Sequence, residues 1–310
     1  MTGAESELGT PEVIAQSGAV LRGCADVLRR ADDAALDELV AAMQRLTGDA
    51  ERVEALVQST GLSEPVVRVG LSTSFETFTR ARLRGLRERA TGWRQNATRL
   101  AAVVLAGNVF TAGARALLVP LVLGVPVVAK ASSRDSVFPR ALAAALPEPF
   151  RGALRVHVFP GGDAACERAL FAQADVIHAY GADATLRALR ERAPASALFV
   201  PHGHGLGLAY VDGFSLEDVE GLARDIVAYD QRGCLSPLEV LVKGEGDEAE
   251  RFAASLHAAL SELDASMPRQ PLGPAEAAAH AQWRGVAVAT GRLLEGAGHA
   301  LAVEGYARMP

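Results

Sequence analysis

From residue 99 onward the chain alternates short, continuous apolar runs with segments of helical length. This alternation restricts the fold more than any other feature. Residues 100–106 are apolar and end at the turn Gly107-Asn108, residues 113–123 have helical spacing, and residues 125–130 are a second apolar run ending in Lys130. Residues 136–146 read as a helix, 154–159 as a strand, Pro160-Gly161-Gly162-Asp163 as a turn and 164–172 as a helix. Residues 175–180 then read as a strand, followed by Gly181 and a helix over 183–192. Strands alternating with helices of this length predict an α/β fold with a Rossmann-like, doubly wound parallel sheet. Runs that are apolar at every position, not every second one, predict strands buried on both faces.

The flanking regions have a different texture. Residues 11–95 carry apolar side chains at helical spacings of three and four, from Val13-Ile14 to Leu39-Val40 and Leu46. Two shorter helices are expected over 51–57 and 65–69, and a longer, arginine-rich one over 73–90 whose charges read as a solvated face. Residues 91–98 read as a linker. Residues 196–200, 206–211 and 238–242 read as strands, with an amphipathic helix over 216–229 and another helix over 248–263. Beyond that the sequence turns Ala-, Gly- and Pro-rich and loses its pattern. The expected organisation is a helical N-terminal region over 1–98, a nucleotide-binding α/β domain over 99–212, and a shortened catalytic domain over 213–310 that carries Cys234.

Composition narrows the function classes. Apolar residues make up 49% of the chain, enough for a sizeable core, and a net charge of -6 gives no footprint for nucleic acid. Three cysteines cannot form a disulfide framework and fit a reducing, cytoplasmic setting. Residues 1–9 are polar and acidic, without the apolar centre of a secretory signal. Residues 101–131 are nearly all apolar, but Gly107, Pro120, Gly124 and Pro126 interrupt them and Arg115 lies mid-run. That predicts a buried strand, helix and strand, not a membrane span.

Several positions can carry chemistry. Cys234, in Tyr229-Asp230-Gln231-Arg232-Gly233-Cys234-Leu235-Ser236-Pro237, has polar and turn-forming neighbours unlike those of a packing cysteine. A thiol in such a loop can attack a carbonyl and hold an acyl group. Cys24 and Cys166 read as small packing residues. Three turns, Gly107-Asn108, Gly161-Gly162-Asp163 and Gly181-Ala182-Asp183, fall where strands hand over to helices, a place suited to phosphate. Neither the G-x-G-x-x-G nor the G-x-x-x-x-G-K-[ST] fingerprint accompanies them. Lys130 can reach a ribose or phosphate, or else snorkel at the sheet edge. Arg134 adds a second cation that favours a 2′-phosphate. Asn108 can donate to an oxyanion or cap the next helix. His202 and His204 read as a metal pair or as a base for Cys234, but no third ligand has suitable spacing, so no metal is expected.

Together these residues resemble a known family. Val104-Leu105-Ala106-Gly107-Asn108-Val109 and Gly124-Val125-Pro126-Val127-Val128-Ala129-Lys130-Ala131-Ser132-Ser133-Arg134-Asp135 are similar to motifs of the acyl-CoA reductases of bacterial luminescence, within the aldehyde dehydrogenase superfamily. Ala179-Tyr180-Gly181-Ala182-Asp183-Ala184-Thr185 and Asp230-Gln231-Arg232-Gly233-Cys234-Leu235-Ser236-Pro237 resemble two more. The resemblance spans roughly residues 95–245. It implies that Cys234 takes the acyl group from an acyl-CoA or acyl-carrier thioester, and that Asn108 and the Cys234 N–H form the oxyanion hole. It implies NADPH as cofactor, with Lys130, Ser132, Ser133 and Arg134 at the adenosine ribose. Gly161, Gly181 and Ala182 would line the dinucleotide, and the helix from Asp183 would lie over the pyrophosphate.

The superfamily's oxidising members place a general-base Glu about where Pro201-His202-Gly203-His204 stands here. Its absence fits reduction of a thioester, because that Glu activates the water that hydrolyses an acyl-enzyme. With 76 residues after Cys234 (310 minus 234), a shortened catalytic domain is expected. Two alternatives accompany the reductase. One is a catalytically impaired member acting as a binding or interaction subunit. The other is a Cys-dependent acyltransferase or thioesterase using Cys234 with His202 or His204. A homo-oligomer or a partner subunit stands beside the thioester among the expected partners.

Overall fold

Among the described residues five helices precede the first strand: α1 (Pro11–Arg29), α2 (Asp33–Gly48), α3 (Ala50–Thr60), α4 (Glu64–Phe75) and α5 (Arg80–Arg89). The computed structural model describes residues 9–90, 92, 97–233, 236–244 and 247–304. α1 shows how local sequence sets these helices. Thr10 caps it by accepting from Val13 N at 3.4 Å, Pro11 opens its first turn, and Ile14, Leu21 and Leu28, spaced two turns apart, are its buried stripe.

The stretch over 73–90 is two helices rather than the single one expected. The chain leaves α4 at Phe75 so that Phe75 and Phe78 meet edge to face, 5.9 Å between ring centres, and Thr79 caps the restart by accepting from Arg82 N at 3.3 Å. Its arginines also differ from a uniformly solvated face. Arg80, Arg82 and Arg84 are exposed, but Arg87 is buried, donating to Val122 O at 2.9 Å and Ala31 O at 3.0 Å.

The apolar run over 101–131 resolves into β1 (Ala101–Val104), α6 (Gly113–Val122) and β2 (Val127–Ala131). Among the described residues no helix is long and apolar enough to cross a membrane. Then come α7 (Val137–Ala145), β3 (Leu154–Val158), α8 (Ala164–Phe171), β4 (Val176–Tyr180), α9 (Asp183–Arg192) and β5 (Leu198–His202). These strands form one sheet in the order β3-β2-β1-β4-β5, every neighbouring pair parallel. β1 and β2 are buried at every position, as strands covered on both faces must be. Asp175 fixes the amino-terminal end of the sheet. Its carboxylate accepts from Arg99 N at 2.6 Å and Leu100 N at 3.0 Å and pairs with Arg22 at 3.2 Å.

The remaining elements are β6 (Gly207–Asp212), α10 (Leu216–Val227), β7 (Pro237–Lys243), α11 (Asp247–Ser266), α12 (Pro274–Thr290), β8 (Arg292–Glu295) and β9 (Ala300–Val303). β6 and β7 pair in parallel, and β8 and β9 form an antiparallel hairpin. The helix α12 and this hairpin occupy the segment where the sequence carries no clear pattern. The chain divides into two units: Met1–Thr60 with Leu71–His204, here the sheet unit, and Gly61–Gly70 with Gly205–Pro310, the second unit. Each has its own core. Leu21, Val104, Val128, Phe171 and Ile177 contribute to that of the sheet unit, and Val219, Phe252, Leu256 and Leu260 to that of the second.

Candidate active site

In the sheet unit the chain runs from β1 outward to β2 and β3, then returns past β1 to β4 and β5. The connections leaving β1 and β4 therefore diverge, and this switch point is where open α/β sheets leave a crevice for ligand at the strands' carboxyl ends. The three turns singled out in the sequence sit at that end: Gly107-Asn108 after β1, Gly161-Gly162 after β3 and Gly181-Ala182 after β4.

Lys130 is the most unusual side chain there. It is buried on the penultimate position of β2, between Val104 and His157 in register. Its Nζ donates to Ala131 O at 3.2 Å and lies 5.5 Å from the centre of the Phe159 ring. An ammonium has three donors. One is satisfied by a protein oxygen, so the others are available to an oxygen-rich ligand. Burial draws the ammonium below its ordinary value, opposed by the carboxylate of Glu167. Glu167 itself is buried, accepting from Gly162 N at 2.9 Å and pairing with Arg192. It ties the glycine turn after β3 to α8, a role for which the sequence offers no local signal.

The loop after β2 is shaped by its small residues. A Cβ on Gly107 would meet Ser132 Cβ at 2.8 Å and Arg134 Cβ at 3.0 Å, so the β1 and β2 loops approach as only glycine permits. Ser132 Oγ accepts from Arg134 N at 3.2 Å, and buried Asp135 accepts from Phe138 N at 3.5 Å, opening α7. Burial raises the Asp135 carboxyl above its usual range. Ser133 and Arg134 are left exposed at the rim. Asn108 is exposed as well, and the cap positions of the next two elements are Val109 and Ala112. The first turn of α9 has no side-chain cap, whereas Asp163 caps α8 through Ala165 N and Cys166 N at 3.1 and 3.0 Å. Gly181 and Ala182 therefore precede a helix start whose N–H groups have no side-chain acceptor at the cap position.

β4 and β5 add a ring cluster that sequence reading takes only in part. Tyr180 and His202, paired in register, stack at 4.2 Å with 7° between planes. His178 Nδ1 lies 3.2 Å from His202 Nε2. Burial lowers both imidazoles from their ordinary value, the facing His202 adding to the effect on His178, and burial raises the Tyr180 phenol. His202 thus spends one nitrogen on His178, while His204 is exposed. The alternation His178-x-Tyr180 in a strand is the signal that places both on one face.

Two thiols have defined surroundings. Cys166 is buried, its Sγ donating to Gly9 O at 3.2 Å, and burial first, then Asp163, pushes it up to about 11. Such a thiol is inert at neutral pH. Cys24 is half-buried along α1, 3.7 Å from Val20 O. Cys234 lies outside the described residues, but its flanks in the second unit do not. Tyr229, Asp230 and Gln231 take positive φ of 54°, 53° and 59°. Left-handed backbone costs an L-residue roughly 1–2 kcal/mol. Ser236 Oγ donates to Ala228 O and Gln231 Nε2 to Pro237 O, both at 3.3 Å, closing the loop on each side of Cys234 in sequence. A recess of the second unit, about 490 Å³, is lined by Tyr210, Asp212, Glu217, Asp218 and Asp225. Its carboxylates would repel a dinucleotide phosphate, so the cofactor argument stays with the sheet.

The profile of the acyl-CoA reductase (LuxC) family matches residues 79–291, from just before α5 to the end of α12. The chain belongs to the LuxC acyl-CoA reductase family. No curated protein matches its sequence significantly. Its fold is that of the aldehyde dehydrogenases. Aldehyde dehydrogenase 21 from Physcomitrella patens, solved with the product succinate, superposes with a TM-score of 0.73 at 16% identity, covering 95% of this chain and 67% of that one. Glyceraldehyde-3-phosphate dehydrogenase GapN from Methanocaldococcus jannaschii, complexed with NADP, gives 0.66 at 15% identity over 96% and 70%. An NAD-dependent benzaldehyde dehydrogenase from Corynebacterium glutamicum gives 0.68 at 12% over 92% and 67%. The LuxC-family chain thus spans about two thirds of the length of these dehydrogenases. Family and fold together support an oxidoreductase with acyl-CoA reductase or aldehyde dehydrogenase-type chemistry.

Proposed function

We propose that this LuxC-family chain reduces an acyl-CoA or acyl-carrier thioester to an aldehyde with NADPH, through an acyl group carried on Cys234. The observation that carries the cofactor half is Lys130, a buried ammonium with donors to spare at the carboxyl end of β2. Such a group fits a ribose hydroxyl or phosphate oxygen. Arg134, exposed on the next loop, favours the 2′-phosphate of NADPH over a bare hydroxyl, and the uncapped start of α9 suits the pyrophosphate. Structures of this fold in complex with NADP and an NAD-dependent one both occur among the relatives, so the choice of NADPH rests on Arg134.

In the reaction Cys234 Sγ attacks the thioester carbonyl, and the carrier leaves as its thiol. Asn108, exposed after β1, donates to the oxyanion of the tetrahedral species. Bound NADPH supplies the hydride. Cys234 then departs as a thiolate and releases the aldehyde, with one proton consumed overall to give the free carrier thiol. Splitting the transfer at Cys234 replaces one difficult step by two easier ones.

Single-turnover mass spectrometry with a long-chain acyl-CoA tests this reading. An acyl adduct on Cys234 that accumulates without NADPH and disappears with it, yielding aldehyde, is expected. Full reductase activity in Cys234→Ala would end the proposal, and an adduct that decays to acid regardless of NADPH would replace it with hydrolysis.

A further inference from the structure

The segment just before Cys234 is the most strained in the described chain. Tyr229, Asp230 and Gln231 are consecutive left-handed residues, and all other positive-φ residues among those described are glycines. Single left-handed residues are common in turns, but three in succession make a left-handed turn that side chains resist. Such backbone persists where its surroundings over-determine it, and it concentrates at functional sites.

The surroundings here can be named. Tyr229 Oη donates to Gly70 O at 3.2 Å, and its ring lies so close over Gly70 that a Cβ there would approach a ring carbon to 2.8 Å. Gln231 and Ser236 fasten the loop to Pro237 and Ala228. Asp230 is the exception among these contacts, because it is a carboxylate with only 4% of its side chain exposed. It faces Arg269 and, at 3.9 Å, Arg232, with Glu276 opposing. Arg269 belongs to the connection between α11 and α12. Burying a carboxylate is costly, and an apolar residue would fill the same space more cheaply if packing were its only task.

Resting on the reading of Cys234 as the acylated nucleophile, we infer that Asp230 is its positioning residue. The buried carboxylate, facing the charges of Arg232 and Arg269, holds the left-handed turn that leads the chain into Cys234. Asp230 touches neither substrate nor cofactor in this role. It acts through the direction it imposes on the backbone.

The test compares Asp230→Ala, Asp230→Gly and Asp230→Asn with Cys234→Ala in the full chain. The readouts are kcat, KM for the acyl-CoA, and the iodoacetamide alkylation rate at Cys234 by site-resolved mass spectrometry. Misplacing a reacting group costs about 100-fold, so Asp230→Ala and Asp230→Gly are expected to lose about that much kcat with KM changed less than about threefold. Asp230→Asn keeps the shape and an acceptor oxygen, and is expected to recover to within about tenfold of the parent. Glycine takes left-handed backbone freely. A fully active Asp230→Gly would therefore show that the carboxylate holds nothing, and would overturn the inference. So would parental kcat and alkylation in Asp230→Ala. If Asp230→Ala fails to fold, the contrast between Asn and Gly still decides. An active Cys234→Ala sinks the thioester reading itself. An inactive Cys234→Ala beside a fully active Asp230→Ala sinks only this inference.

Discussion

The two units bury their parallel strands differently. In the sheet unit β1 and β2 have no exposed position, and the cofactor candidates stand on a completed core. In the second unit the parallel pair β6 and β7 has one covered face and one open one. Val211, Val240 and Val242 turn toward α10 and α11, while Leu208, Tyr210 and Leu238 are exposed and Leu206 is 85% exposed. Parallel strands are normally covered on both faces. The contrast teaches where each unit keeps its precision. The sheet unit sets its loops on strands packed on both faces, and the second unit holds the flanks of Cys234 by a few polar fastenings and a strained turn.

The comparison predicts unequal costs for the same truncation. Phe138 is fully buried against Phe75 and Phe110 at 6.4 and 5.6 Å, and Phe138→Ala is expected to cost about 3–5 kcal/mol. Phe252 faces Phe214 in a smaller cluster, and Phe252→Ala is expected to fall at or below the low end of that range. Urea unfolding of the two variants measures the difference, and equal losses would break the contrast between the units.

Lys130→Met sharpens the claim that the sheet unit's packing serves the cofactor. Removing a desolvated ammonium relieves a cost of burial, so stability is expected to hold or rise. NADPH affinity, followed by fluorescence titration, is expected to fall roughly tenfold or more, about 1.4 kcal/mol per factor of ten. A variant that loses stability while binding NADPH normally would make Lys130 a structural residue only.

The smallest effect concerns pH. His178 and His202 both have imidazoles lowered by burial. Between the lowered values and the ordinary 6.5 the unfolded chain binds more protons, so stability is present above 6.5 and is lost as pH falls below it. Their mutual hydrogen bond adds a reason, since two imidazolium rings have no acceptor between them. Urea midpoints measured from pH 7.5 to 5.5 are expected to decline less steeply in His178→Gln than in the parent.

The centre of the sheet was legible because β1 and β2 announce themselves as Val and Ala runs, and Lys130 because it is the charge near the end of one of them. The loop glycines were legible as turns. The break at residues 76–79 was not, because Phe78 leaves the helix for a tertiary contact that no local periodicity records. The β8 and β9 hairpin was missed because its strands are four residues each and only half covered. The pairing of His178 with His202 needs the β4–β5 register. The burial of Asp230 needs partners some forty residues further along the chain. Cys234 is singled out by its neighbours alone, and its own placement falls outside the described residues.

The two cations at the carboxyl end of β2 differ in one respect that bears on handling the enzyme in solution. Arg134 stands in water, where counter-ions at 0.15 M screen a charge over about 8 Å. Lys130 lies beneath the surface, out of their reach. Ionic strength therefore separates the two contributions. On the proposed reading, raising salt would weaken the preference that Arg134 gives to a phosphorylated ribose and leave a contact made by Lys130 largely intact, so discrimination between the two nicotinamide dinucleotides would be sharpest in dilute buffer.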